Sequence, residues 1–162
     1  MNERQKVYEM LEGFRTAMLV TKGMDGRFEA RPMQMAEVEP AGPIWFFTAR
    51  NSRKADEVSS DPRVLLVFED DSSQYLSIAG SAKVVQDVAR IRRLWKEPYR
   101  IWFPEGPDDQ NLALVAIEPE VAEFWDSSGT NKLRYMFEAT RAYVTGDLPR
   151  VQEGEQHGRT RI

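Results

Sequence analysis

The chain has 162 residues, of which 41% are hydrophobic, which is enough for one domain with one apolar core. Lys and Arg number 22 against 26 Asp and Glu, a net charge of -4, which argues against nucleic acid or an anionic membrane as partner. The absence of cysteine excludes disulfides, thiolate metal sites and a cysteine nucleophile, and the single histidine, His157, lies in a polar C-terminal stretch, so no histidine metal cluster is expected.

The first predicted element is a helix. Val7, Met10, Leu11 and Phe14 recur at the spacing of one buried face, and Asn2 and Gln5 stand where a capping box places them. The start, "MNERQKVYEM", is charged and amphipathic rather than signal-like. "TAMLVTK" reads as a strand, Asp25-Gly26 as a hairpin turn, and "FEARPMQMAEV" as a second strand. Pro32 removes a backbone donor, so this strand is expected to be an edge, bulged, or turned toward something other than a neighbouring strand. "PIWFFTA" is the third strand. A short helix follows from residue 53 and stops at Asp61-Pro62.

"RVLLVFED" is a buried strand, and "YLSIAGSAKVV" a long alternating one with Leu76, Ile78, Ala82 and Val84 on one face. Asp87 caps a short helix carrying Val88, Ile91 and Trp95 inward. "WFPEGPDD" is a loop. Its Trp102 and Phe103 read as structural, with a lid or a plug at a subunit seam as the alternative, and Asp108 and Asp109 read as turn formers. "LALVAIEP" and "VAEFWD" are expected as two more strands. Leu133, Met136, Phe137, Thr140 and Val144 suggest a closing helix. The domain is expected over residues 1–147, with residues 148–162 a polar exposed tail. The architecture expected is mainly β (α+β): six or seven antiparallel strands in a small barrel with peripheral helices. No apolar run approaches the roughly 20 residues of a membrane helix, and a soluble, cytoplasmic protein is expected.

The most informative stretch is "WFFTARNSRKADEV". Ser52 is a good N-cap for a helix starting at Arg53. Such a helix points free N–H groups and a positive dipole end at the place where the Ser52 hydroxyl sits. Arg53 and Lys54 add two charges, and Thr48 a second hydroxyl. Together they suit a phosphate, with each charge-assisted hydrogen bond contributing about 1.5–3 kcal/mol. The alternative is a solvated helix start in which Arg53 pairs with Asp56 or Glu57, worth only about 0.3–0.5 kcal/mol.

"FFTARNSRKA" resembles the phosphate-binding segment of the pyridoxamine phosphate oxidase-like family of FMN-binding split barrels. Phe47-Thr48 and Ser52-Arg53-Lys54-Ala55 match its spacing without insertion. "EARPMQM" resembles the strand that flanks the flavin ring, "PRVLLVFE" and "YLSIAGSAKVV" the next two strands, and "AEFWD" a late strand whose tryptophan reaches a flavin held mainly by the other subunit. "WFPEGPDD" followed by "LALVAIEPEVAEFWD" is most similar to the general stress protein 26 branch. The resemblance covers about residues 5 to 147.

The resemblance implies an FMN-binding split barrel that works as a homodimer with FMN at the subunit interface. Ser52, Arg53 and Lys54 would bind the FMN phosphate, with Thr48 beside them. Arg31, Pro32, Met33 and Gln34 would run along the isoalloxazine edge. Phe47, with Trp45, would pack near the ring unless both are core residues. Gln74 would reach the cofactor from the partner by residue type, although counting back from Gly80 lands on Tyr75; Trp125 would do so unless it closes the barrel core, and Lys132 and Arg134 are candidates for a ligand-facing charge. No catalytic or metal-binding residue is assigned.

"VARIRRLWKEPYRIWFPEG" lacks the Tyr, Arg and Ser set with which pyridoxamine phosphate oxidase holds its substrate, so oxidation of vitamin B6 phosphates is not expected. The missing core histidine weakens a haem-degrading reading. The leading expectation is a flavin-dependent oxidoreductase using NAD(P)H or another reductant on a small-molecule redox partner. The alternatives are a non-catalytic FMN store or sensor, and a barrel for a deazaflavin or haem.

Overall fold

The computed structural model describes residues 1–150 and 153–162. Helix α1 (Glu3–Gly13) starts at the expected reciprocal cap between Asn2 and Gln5, and buries Val7, Met10 and Leu11. Strands β1 (Thr16–Lys22) and β2 (Phe28–Val38) form a hairpin, and β3 (Ile44–Ala49) follows. Helix α2 (Arg53–Ser60) leads to β4 (Arg63–Glu69) and β5 (Gln74–Val85). After α3 (Val88–Leu94) and two 3-10 turns come β6 (Leu112–Asp126), helix α4 (Gly129–Thr145) and β7 (His157–Arg161).

The strands are ordered β3-β2-β1-β4-β5-β6-β7, and β3 also pairs with β6. Strands β1 to β6 therefore close an antiparallel barrel, with β7 added outside it. This is the expected α+β split barrel. Strict alternation in β4 sends Val64, Leu66 and Phe68 inward, and β5 does the same with Leu76 and Ile78. They meet Phe46, Ile117 and Phe124 in the barrel interior.

The first six residues of β6 are buried on both faces. One face fills the barrel. The other packs Leu112, Leu114 and Ala116 against Ile91, Phe103 and Trp45. Helix α3 thus faces inward through Ile91, as expected, but Val88 is turned outward.

Three expectations are corrected. The two late strands are one strand of 15 residues. Pro119 does not break it, because the ladder absorbs the irregularity as a bulge: Ala79 pairs with Val121 and Gly80 with Pro119, leaving Glu120 extra. Helix α4 forms, but it does not close the core: Leu133, Met136, Phe137 and Val144 are exposed, and Ala142 is its buried residue. The stretch expected as an exposed tail contributes β7, which pairs along β6 from Val121 to Trp125. Gly158 permits that approach, since a Cβ there would lie 2.7 Å from the Phe124 ring. Residues 151 and 152 of that stretch lie outside the described residues.

Pro32 conforms to expectation. At Pro32, β2 is paired with Met18 of β1, whereas its pairing with β3 begins only at Met35. The strand has a neighbour on one side there, so the missing donor is tolerated.

Gly80 marks the bulge. A Cβ at this position would meet the Glu118 carbonyl oxygen at 2.2 Å. Gly80→Ala is expected to destabilise the fold by about 2–3 kcal/mol, as overpacking against rigid backbone does. Urea unfolding followed by tryptophan fluorescence measures this, and Ala79→Gly serves as a control outside the close contact.

Candidate functional site at the β3–α2 junction

Thr48 is buried near the end of β3, and its Oγ1 lies 3.2 Å from Ser52 Oγ. Ser52 is the N-cap of α2, with its hydroxyl accepting from the Ala55 N–H at 3.4 Å. The two hydroxyls and the start of α2 therefore come together as expected.

The two cations behave differently. The Arg53 side chain is 73% exposed, with Nε 3.1 Å from Glu57 Oε1 and a further ion pair to Glu29. This is the i, i+4 pairing of a solvated helix start, reinforced by β2. Lys54 is half-buried and makes no hydrogen bond or ion pair among the described residues. Burial pushes its ammonium below the usual lysine value and the neighbouring Arg31 charge pushes the same way, outweighing the attraction of the Glu57 carboxylate. A cation that is partly desolvated, unpaired and beside a second cation calls for an anion.

Glu57 arranges this. It is 1% exposed on the inner side of α2 and accepts from Thr21 Oγ1 at 2.6 Å and from Arg31 Nη2 at 2.9 Å. Burial works to raise its pKa, but these donors and Arg53 outweigh burial and hold the carboxyl below its usual range. Its Oε1 has Arg53 Nε nearby but no aligned hydrogen bond. Arg31 also bonds Thr21 and lies 3.5 Å from Glu29. Arg31 and Arg53 are thus spoken for within the protein, and Lys54 is left.

The rest of the expected β2 edge divides by face. Pro32 and Gln34 are exposed on the outer face, whereas Met33 turns into the core and can offer a ligand only its backbone. Phe47 packs on Tyr99 at 4.9 Å and Trp95 at 6.4 Å, beneath the α3 side. Trp45 is buried, donates to Glu39 at 2.9 Å and has Arg90 over its ring. Trp45 is a core aromatic, whereas Phe47 is partly buried and packs against that core.

Gln74 and Trp125 form a second group. Gln74 donates to Ser128 Oγ at 3.1 Å, and Trp125 sits on the outer face opposite Tyr75. Sequence reasoning missed its other neighbour: β7 lays His157 against Trp125, with rings 5.4 Å apart and stacked, and His157 Nε2 is 2.9 Å from Glu123 Oε1. Alternation in "HGRTR" was the available signal, but its polarity masked it. Lys132 and Arg134 are exposed on α4, and Arg134 pairs with Glu155 at 2.7 Å.

The two groups do not meet within one chain. Thr48 is level with Ala113 of β6, and Tyr75 with Trp125. Twelve positions of extended strand separate these levels, up to about 40 Å of chain. A cleft of about 380 Å³ lies elsewhere, between α1 and the β2–β3 turn, and none of the expected site residues lines it. An open hollow of about 490 Å³, lined by Arg50, Asn51, Gln110 and Asn111, adjoins Ser52 in the chain.

A closed antiparallel barrel with a capped helix at the end of its third strand defines a split barrel. The chain belongs to the pyridoxamine 5'-phosphate oxidase-like family, whose model matches residues 2–150. General stress protein 26 of Bacillus subtilis (strain 168) is 28% identical over 121 residues, covering 72% of this chain and 84% of that protein. The crystal structure of the general stress FMN/FAD binding protein from Xanthomonas citri is 32% identical, with a TM-score of 0.66 over 78% of this chain and 89% of that one. A structure assigned as a general stress protein 26 from Jannaschia sp. CCS1 shares the fold over 98% of this chain and 97% of that one, with a TM-score of 0.74 and 24% identity.

Arg31→Met leaves the Glu57 charge buried without its main partner and is expected to destabilise the protein by about 3 kcal/mol. Because the Glu57 pKa is depressed, its contribution is complete above the ordinary value of 4.5 and is lost as pH falls through the folded value. Urea unfolding between about pH 7 and pH 3 should show a shallower acid loss in Glu57→Gln than in the parent.

Proposed function

We propose that the protein binds FMN in a homodimer and serves as a cytoplasmic flavin-dependent oxidoreductase. The observation that carries the reading is the unpaired, half-buried Lys54 beside the Ser52 cap and the Thr48 hydroxyl. These donors fit a phosphate dianion: one point charge, two hydroxyls, and the free N–H groups of the first turn of α2. The FMN/FAD binding named for the Xanthomonas citri protein supports a flavin as the bearer of that phosphate.

Ser52 and Lys54 would hold the phosphate, and the exposed Pro32–Gln34 edge of β2 would run beside the ring. Arg31 would act through Glu57, fixing α2, with its charge adding to the local potential. The long separation along β6 supports assigning Gln74 and Trp125 of a second copy to the same cofactor. The exposed outer-face residues Met18, Leu65 and Val67 supply an apolar wall for such a partner. When bound, the flavin supplies the redox chemistry, and the protein orients it and limits access to it.

Lys54→Glu places a negative charge against the phosphate. It should abolish flavin retention, read from the visible spectrum of the purified protein, with the circular dichroism unchanged. Retention equal to the parent's would remove the assignment. Because the ligand-free Lys54 lies below the ordinary lysine value of 10.5, the affinity for FMN should begin to weaken at a pH below that value, as the lysine of the free protein loses its proton. Bleaching of the bound flavin by NAD(P)H without a mediator is expected of the oxidoreductase and not of a storage or sensor protein.

A further inference from the structure

We propose that helix α4 is a dimer arm, with its apolar stripe covered by a second copy of this chain. The proposal rests on the dimeric reading above and adds to it a surface that reading does not use. Leu133, Met136, Phe137 and Val144 share one helical face and are 70%, 58%, 69% and 78% exposed. Tyr143 beside them is also exposed. Isolated helices of this length are marginal in water, and helical stability in proteins comes mainly from packing an apolar face. This helix does not pack that face on its own barrel: neither core cluster contains a residue of the stripe. Its first turns are tied to the end of the chain, through Gln156 to the Asn131 carbonyl and Arg134 to Glu155. Farther along, Arg141 pairs with Glu138 and Asp147 of the helix and its exit, so those charges hold the helix to itself.

Area and closure favour a second copy as the occupant. Large aromatic side chains carry about 150–250 Å² each, so Phe137 and Tyr143 supply roughly 300–500 Å². With Leu133, Met136 and Val144 the stripe approaches the ~800 Å² per partner of a standard interface. The same chain exposes a counter-surface on the outer face of its sheet, where Met18, Leu65 and Val67 lie beside Pro32. An unrelated partner on α4 would leave that face bare, whereas a two-fold pairing covers both surfaces on both copies. Helix α4 also begins four residues after Trp125, so it leaves the body at the seam where Trp125 is assigned to the partner's cofactor.

The chain has no cysteine, so Met136→Cys introduces a single reporter thiol. Its reaction with an aromatic disulfide reagent is followed across protein concentration, with mass measured in parallel. Where the mass is that of two chains, the thiol is expected to react at least 10-fold more slowly than in the urea-unfolded chain. Phe137→Asp, in an otherwise natural chain, is expected to raise the dimer dissociation constant at least 10-fold while circular dichroism is unchanged. A dimer whose thiol reacts at the unfolded rate overturns the arm and leaves the dimer standing. A chain that is monomeric at every concentration overturns both. Protection that appears only with anionic lipid vesicles assigns the stripe to a membrane surface and overturns the proposal.

Discussion

One buried carboxylate organises the functional end of the molecule. Glu57 ties α2 to β1 through Thr21 and to β2 through Arg31, and it draws Arg53 back along its own helix. A helix of eight residues would not hold its position by propensity alone. The cost of burying Glu57 is offset by two aligned donors, Thr21 and Arg31, and by the nearby Arg53 guanidinium. The consequence is electrostatic selection: the arginines are committed to carboxylates, and Lys54 stays open to an external anion. In the proposed site, recognition would therefore fall to one lysine, two hydroxyls and a helix start rather than to a basic cluster.

Strand β6 sets the second constraint. It closes the barrel against β3, packs both faces over its first half, and carries Trp125 at its far end. Its length keeps the Thr48–Lys54 group apart from Gln74 and Trp125. Under the proposed reading a cofactor contacting both groups would draw on two chains, and the partly exposed outer wall and the α4 stripe would both be covered by the second copy. Strand β7 contributes here too, because it braces Trp125 with His157, itself held by Glu123.

Much of this was readable from residues. Alternation placed Leu76, Ile78 and Ala82, and the Asn2–Gln5 cap and Ser52 cap were written locally. What was missed depends on distant partners. Pro119 looks like a strand break until Gly80 is seen opposite it. The period of α4 reveals a stripe but not what covers it, so a core role was expected where the helix faces outward. "HGRTR" is too polar to read as a strand, yet an edge needs only backbone pairing and a glycine where Phe124 crowds it. At the site, the Glu57 pairing of Arg53 was foreseeable at i, i+4. Glu29, 24 positions away, was not, nor was the capture of Arg31 by Glu57.

The central claim is that the phosphate is held at the β3–α2 junction. Parallel titrations of ligand-free protein with FMN and with riboflavin isolate that group, because the two differ by the phosphate alone. Two charge-assisted contacts at about 1.5–3 kcal/mol each predict that FMN binds at least 100-fold more tightly, with most of the advantage lost in Lys54→Met. Equal affinities for the two compounds, or an FMN advantage untouched by Lys54→Met, would contradict the account.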